Sequence, residues 1–420
     1  MTNPFRSLRN ANYRLFAAGM LVSNVGVWMQ RVAQDWLVYE LTGSGVALGI
    51  TTGLQFLPML FLAPWGGVIA DRYPKLRVLT ATQAFLGVVA AVLGVLTVTG
   101  VVRVEHVYLL ALLLGCGSAI DNPARQSFAV ELVGRDDLQN AVALNSASFN
   151  AARFVGPAAA GLLIELVGTG PVFLLNGLSY VAVLLALQRM DRRALQPAPP
   201  VGRGPGQLRA GLRYVTGRPD LVFVLVVVFF VGTFGLNFQL TMALMASQVY
   251  GKGAGEYGLL GSILAIGSLT ASLLAAGRGR PRLRLVAGGA LAFGAVEIAA
   301  GLMPTYETFA ASLVLVGLCS LTFLTAANAT LQLSVDPAMR GRVMALYLTV
   351  FFGGTPLGAP LVGWIAEAFG PRWSLLFGGI VSVAATLVAV AVLLRGERGR
   401  RTADARAVPA PPLAGTPQQA

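Results

Sequence analysis

Apolar residues in this chain arrive in runs of roughly 20, separated by short charged stretches, instead of the one-sided stripes of a soluble helix or the alternation of a strand. A helix needs about 20 apolar residues to cross a hydrocarbon core about 30 Å thick, so each run has the length of one crossing. In order, the runs predict helices over 13–38, 45–70, 77–99, 107–128, 139–166, 171–190, 220–247, 256–277, 284–303, 308–333, 342–366 and 373–394. The pattern predicts an all-α integral membrane protein with twelve transmembrane helices in two six-helix bundles.

The stretch from Asp191 to Arg218 divides the runs six and six, with a Pro- and Gly-rich centre at Pro197–Gly206 followed by QLRAGLRYVTGR. We expect an N-terminal bundle over 1–190, a linker over 191–219 whose second part forms a short surface helix, and a C-terminal bundle over 220–395. A disordered tail over 396–420 would follow, because that segment turns charged and then rich in Pro and Ala.

Composition agrees with a lipid solvent: 55% of residues are hydrophobic, only 12% are charged, and mean hydropathy is +0.70. Soluble domains carry about 25% charge. The net charge of +13 would suit nucleic acid if it formed one face. Instead, all but five of the 31 Lys and Arg fall in alternate loops and the ends of the chain. Arg103, Lys252 and Arg372 lie in the opposite loops, and Arg31 and Arg153 lie inside spans. Basic loops resist translocation, so this asymmetry predicts a bacterial inner-membrane orientation with both termini in the cytoplasm. The expected partners are therefore lipid and a small-molecule substrate, not nucleic acid. Cys116 and Cys319, both within apolar runs, and a lone His106 offer no disulfide framework or metal spacing. No phosphate-binding Gly-x-x-x-x-Gly-Lys-[Ser/Thr] loop and no nucleophile–base cluster occur, which argues against ATP-driven pumping and against an enzyme. No cofactor is expected.

The two halves are weakly self-similar. A constant offset aligns Gly115 with Gly317, Ser118 with Ser320, Ala124 with Ala326, Val133 with Val335, Leu144 with Leu346, Gly161 with Gly363, and Glu165 with Glu367. Duplicated bundles are how many transporters are built.

Polar residues inside the spans are the candidate chemistry, since an ionisable group at membrane depth is costly unless it pairs or faces water. On helix one, Asn24, Trp28, Arg31 and Asp35 fall within a stripe about 40° wide. That face should line a central cavity, with Arg31 paired to Asp35. Asp35 then either exchanges a proton with the outside or anchors the helix end as half of an ion pair. Helix five repeats the spacing with Ser146, Asn150, Arg153 and Pro157, so Arg153 seeks either Asp121 or an anionic group of the substrate. Gly156, Pro157 and Gly161 make this a bent, small-residue helix, and Gly353–Pro360, which contains Pro356, is its counterpart. Asp121 and Arg125, one turn apart on helix four, form a gate or a topological ion pair. Glu297, isolated in helix nine, serves packing or a proton. Asn237 and Thr241 on helix seven and Thr325 and Asn328 on helix ten could contact an amphipathic cargo.

The loop between helices two and three, GVIADRYPKLRVL, resembles the signature of the major facilitator superfamily through Gly67, Asp71, Arg72, Lys75 and Leu79, with Arg77 one place beyond the usual base and Pro74 where Gly is usual. NYRLF, WMQ, WLVYELTGS, QFLP and NPARQ extend the similarity to the branch that holds macrolide efflux proteins and the enterobactin exporter. The resemblance implies alternating access by a chain that works as a monomer. It implies proton-driven export of a drug, macrolide or siderophore-like molecule, with import or facilitated passage on the same fold as the alternative. It further implies that Asp71 and the bases beside it latch the two bundles at the cytoplasmic side when the cavity opens outward. The second copy of the loop, at 278–284, lacks the acid.

Overall fold

The computed structural model describes residues 5–196, 207–277 and 282–406, and among these it is helical with no sheet. The helices are α1 (Ala11–Thr42), α2 (Gly45–Arg72), α3 (Lys75–Val98), α4 (Val104–Val167), α5 (Thr169–Gln188), α6 (Gln207–Thr216), α7 (Pro219–Phe230), α8 (Phe238–Leu244), α9 (Ala254–Ala276), α10 (Leu283–Gly301), α11 (Tyr306–Ser334), α12 (Pro337–Gly353), α13 (Thr355–Phe369) and α14 (Pro371–Arg406). Local chemistry starts and stops them. Asn10, Ser44 and Thr305 cap α1, α2 and α11 by accepting from Tyr13 N, Ala47 N and Thr308 N. Gly43, at φ 62°, permits the sharp turn from α1 into α2.

Eleven helical stretches among the described residues are long and apolar enough to cross a membrane. The twelfth crossing is α1, which at 32 residues has ample length. Its hydropathy is lowered by polar side chains, several of which are buried in the bundle: Asn24, Gln30, Gln34 and Asp35 are each at most 6% exposed.

Four departures from the expected elements follow local backbone chemistry. The fourth and fifth crossings form one helical run, α4, bent at Gly134, whose φ of 71° only glycine adopts cheaply. The chain at 129–138 therefore bends as helix. Helix seven is broken into α7, a π turn at Val231–Gly235, α8 and a second π turn at Met245–Val249. Helix eleven is divided at Gly354, so that Pro356 sits in the first turn of α13, where its missing N–H costs nothing. The segment expected as a disordered tail begins as helix, since α14 runs to Arg406; 407–420 lie outside the described residues. The expected surface helix after the linker's centre is α6, while Pro197–Gly206 and 278–281 also lie outside the description.

Helices α1–α5 pack together: α2, α3 and α1 lie on α4, and α1 and α3 lie on α5. In the second half, α10 lies on α11 and α14, and α11 on α9. The two groups meet along two seams, α2 with α13 and the second arm of α4 with α9. We call the side carrying the α2–α3 loop and the linker the terminal face, and the opposite side the distal face.

Candidate functional site between the two bundles

Both seams are tight in their distal halves, and glycine makes them so. A Cβ added to Gly161 on α4 would stand 2.7 Å from Ala254 O, and one added to Gly45 on α2 would stand 2.7 Å from Gly363 O. Polar contacts then fasten the same ends. Glu165 Oε1 accepts from Gly255 N at 3.1 Å in the first turn of α9. Glu367 Oε2 accepts from Ser44 Oγ at 2.6 Å and Val46 N at 3.3 Å at the start of α2. Each carboxylate thus meets the positive end of a helix in the other bundle. Gln248 Nε2 adds a bond to Gly43 O at 3.0 Å. Gly161 and Glu165 align with Gly363 and Glu367 in the repeat, so the two fastenings are copies of one device.

Somewhat deeper, Tyr257 on α9 donates its hydroxyl to Asp35 Oδ2 at 3.0 Å and stacks on Trp36, with centroids 6.1 Å apart. Ser262 donates to Phe154 O at 2.6 Å and accepts from Ala158 N at 3.2 Å, beside the run Gly156–Pro157. On the other seam Phe56 stacks on Phe352 at 5.9 Å. Beyond this level the bundles part towards the terminal face, where Trp65 on α2 is 67% exposed and Leu348 on α12 48%. A cavity of about 100 Å³ lies between α2, the broken α7–α8 and α12, lined in part by Phe56, Gly232, Leu236, Asn237 and Phe352.

The polar stripe of α1 lies at the apex of this cleft, but not as pairing arguments expected. Arg31 forms no ion pair with Asp35; its guanidinium sits 4.9 Å from the centroid of Trp28. Arg153 approaches the same ring, at 5.6 Å. Asp121 cannot serve Arg153, because it is buried and already accepts from Thr82 Oγ1, Gln83 Nε2 and Arg125, which ties α3 to α4. Two guanidiniums therefore flank one indole, and among the described residues neither has a carboxylate within 4 Å. Phe149 closes edge-on to Trp28 at 5.7 Å, and Asn24 reaches Ser148 at 3.4 Å.

Other expected cargo contacts are occupied by their own helices. Asn150 donates to Ser146 O, Thr325 to Leu321 O, and Asn328 accepts from Gln332, each within one helix. Thr241 is 2% exposed and donates to Phe238 O, so it does not face the cavity. Asn237 does line it, while its amide closes the break in α7 through Thr233 O at 2.9 Å and Phe234 O at 3.2 Å. In the signature loop, Gly67 is buried, Arg72 and Arg77 are exposed, and Asp71 lies in the last turn of α2. Lys75 is held within its own bundle by Glu131 on α4, at 2.7 Å. Tyr257, Glu165 and Glu367 were not anticipated as functional, although the repeat had already aligned the two glutamates.

The whole chain fits this architecture's relatives. Residues 2–418 match the family described as transmembrane secretion effector, of the major facilitator superfamily. The chain belongs to that family. It is therefore a multi-pass membrane transporter and not an enzyme. It is 25% identical over 388 residues to the staphyloferrin A transporter of Staphylococcus aureus, covering 89% of this chain and 94% of that protein. It is 26% identical over 417 residues to the enterobactin exporter EntS of Shigella boydii, covering 96% and 94%. A bacterial homologue of the human lysosomal transporter Spinster, solved in an inward-facing and unoccupied conformation, shares the fold with TM-score 0.72 at 17% identity, covering 94% of this transporter and 99% of that chain. The nucleoside transporter NupG does so with TM-score 0.68 at 13% identity, covering 91% and 99%.

Proposed function

We propose that this transporter is a proton-driven exporter of an anionic, oxygen-rich small molecule of the siderophore kind. The observation that carries the cargo class is the pair of guanidiniums on Trp28. Buried or half-buried cations need compensation, and among the described residues no carboxylate comes within 4 Å of either guanidinium. A ligand offering carboxylate or catecholate oxygens together with apolar rings would bridge Arg31 and Arg153 and lie against Trp28 and Phe149. The names of the staphyloferrin and enterobactin relatives support the same class.

With the termini in the cytoplasm, as the distribution of Lys and Arg favours, the terminal face is cytoplasmic and the described state is sealed to the outside. Cargo then enters from the cytoplasm to the apex of the cleft. Its binding draws Arg31 and Arg153 together and favours closure of the terminal face, where Asp71 and the bases beside it latch the bundles. The distal fastenings part and cargo leaves outside. Asp35 loses its bond to Tyr257 in that step and takes a proton from outside. It yields that proton to the cytoplasm once the seal has re-formed, so proton entry is tied to the outward movement of cargo. One chain contains both bundles and the whole cleft, so we take the monomer, in the inner membrane, as the working unit.

Everted membrane vesicles with an imposed pH gradient test this, using enterobactin and staphyloferrin A as probes. Accumulation inside the vesicles that collapses with the gradient is the expected result. Uptake by right-side-out vesicles with none in everted ones would make the protein an importer or facilitator instead.

A further inference from the structure

The break in α7 has the cleft on one side and a buried acid on the other. Gly232, Leu236 and Asn237 face the cavity, whereas Gly235 and the carbonyl of Phe234 face α10 and α14. Glu297 on α10 lies there at 1% exposure. Its Oε2 is 3.1 Å from where a Cβ on Gly235 would stand, and its Oε1 is 3.0 Å from the corresponding point on Gly378 of α14. Oε2 is buried and has no hydrogen-bond partner. Glycines pack around the broken turn elsewhere too: an added Cβ on Gly354 or Gly358 would run into Thr233, whose hydroxyl is itself buried and unpartnered.

We propose that Glu297 is a second proton-binding site of the transporter, filled and emptied through the break in α7. A carboxylate with no counter-charge is expensive at this depth, and a bound proton removes the cost. The elements packed on Glu297 supply no cation within 4 Å among the described residues. Arg372, on α14, is engaged by Gly301 O at 3.0 Å and Met303 O at 2.7 Å. Asp220 and Arg218 pair with each other at the far end of α7. Tyr306, Glu307 and Cys319 on α11 make no hydrogen bond to Glu297. Ser382 on α14, facing Gly235, spends its proton on Gly378 O at 2.7 Å. The broken segment 231–236 meets the carboxyl at Gly235 and the cleft at Gly232 and Leu236, and a π turn shifts more readily than a continuous helix because its bonds are already out of register. Rocking of the bundles that re-forms this turn would expose Oε2 to cavity water, and the proton would leave to that water as hydronium.

The inference rests on the proton-driven reading for the use made of the proton, though not for its presence. Infrared spectroscopy of the purified protein in lipid tests it. Wild type should show a carbonyl band of a protonated carboxylic acid that is lost in Glu297→Gln, retained in Asp35→Asn, and shifted on transfer to D2O. In proteoliposomes, proton entry driven by a pH gradient should fall several-fold in Glu297→Gln while size-exclusion behaviour stays that of wild type. A band that persists in Glu297→Gln, a band that never shifts in D2O, or wild-type proton entry by Glu297→Gln would overturn the proposal. If wild type itself moves no protons, the drive reading fails and the isotope shift still decides the site.

Discussion

Replacing the paired distal glutamates with glutamine should open the sealed face. In Glu165→Gln the bond to Gly255 N can be kept by an amide oxygen, as can the Ser44 and Val46 bonds in Glu367→Gln. What disappears is the charge opposite the positive ends of α9 and α2. At sites this exposed, that interaction is worth about 1 kcal/mol each. The two lie on separate seams and share no partner, so their effects should add to about 2 kcal/mol. The ratio of distal-open to distal-closed molecules should then rise about 30-fold in the double variant. Spin labels at Val101 and Leu302, both exposed at the distal face, with Cys116 and Cys319 replaced, would read this as a longer inter-label distance gaining population. Each single variant should give about half the free-energy shift. Distance distributions identical to wild type in the double variant would refute the idea that these carboxylates hold the seal.

Four further outcomes follow. Arg153→Ala and Arg31→Ala should each weaken binding of enterobactin by about 10- to 100-fold, the worth of a charged hydrogen bond of about 1.5–3 kcal/mol, as measured by calorimetry; unchanged affinity in both would remove the guanidinium pair from the site. Asp35→Asn should bind the same probe yet lose gradient-driven accumulation, and a preserved response to the gradient would show that the proton travels elsewhere. Gly161→Val should hold the distal seam apart, because even its Cβ would meet Ala254 O at 2.7 Å; transport should be lost while expression remains, and normal turnover would show the seam to be slack. Asp71→Asn should slow turnover without changing insertion, consistent with a latch used only when the terminal face is closed.

The crossings were legible because lipid demands about 20 apolar residues per span, and that demand leaves the same mark wherever it acts. The breaks were not. Nothing in FFVGTFGLNF distinguishes a π turn from a straight helix, since the break depends on Gly354, Gly358 and Gly378 making room for it from distant parts of the chain. At the site, helical spacing correctly gathered Asn24, Trp28, Arg31 and Asp35 on one face, yet spacing within a helix cannot say which neighbour faces it. Arg31 and Asp35 looked like partners, but Arg31 turns back to Trp28 on its own helix, a ring it shares with Arg153 of α4, while Asp35 turns to Tyr257 on α9. The glutamate pair needed only one more step from the repeat: residues duplicated along with the bundles will face duplicated partners.

The polarity of α1 also bears on how the protein is made. Arg31 and Asp35 at depth would together add about 5–7 kcal/mol to the cost of α1 entering lipid alone. Asn24 and Trp28 meet groups on α4, and Asp35 meets Tyr257 on α9, helices that are synthesised later. The nascent chain must therefore keep α1 beside the translocon, or at the bilayer surface, until those helices arrive. The least oily of the crossings thus waits for companions made after it.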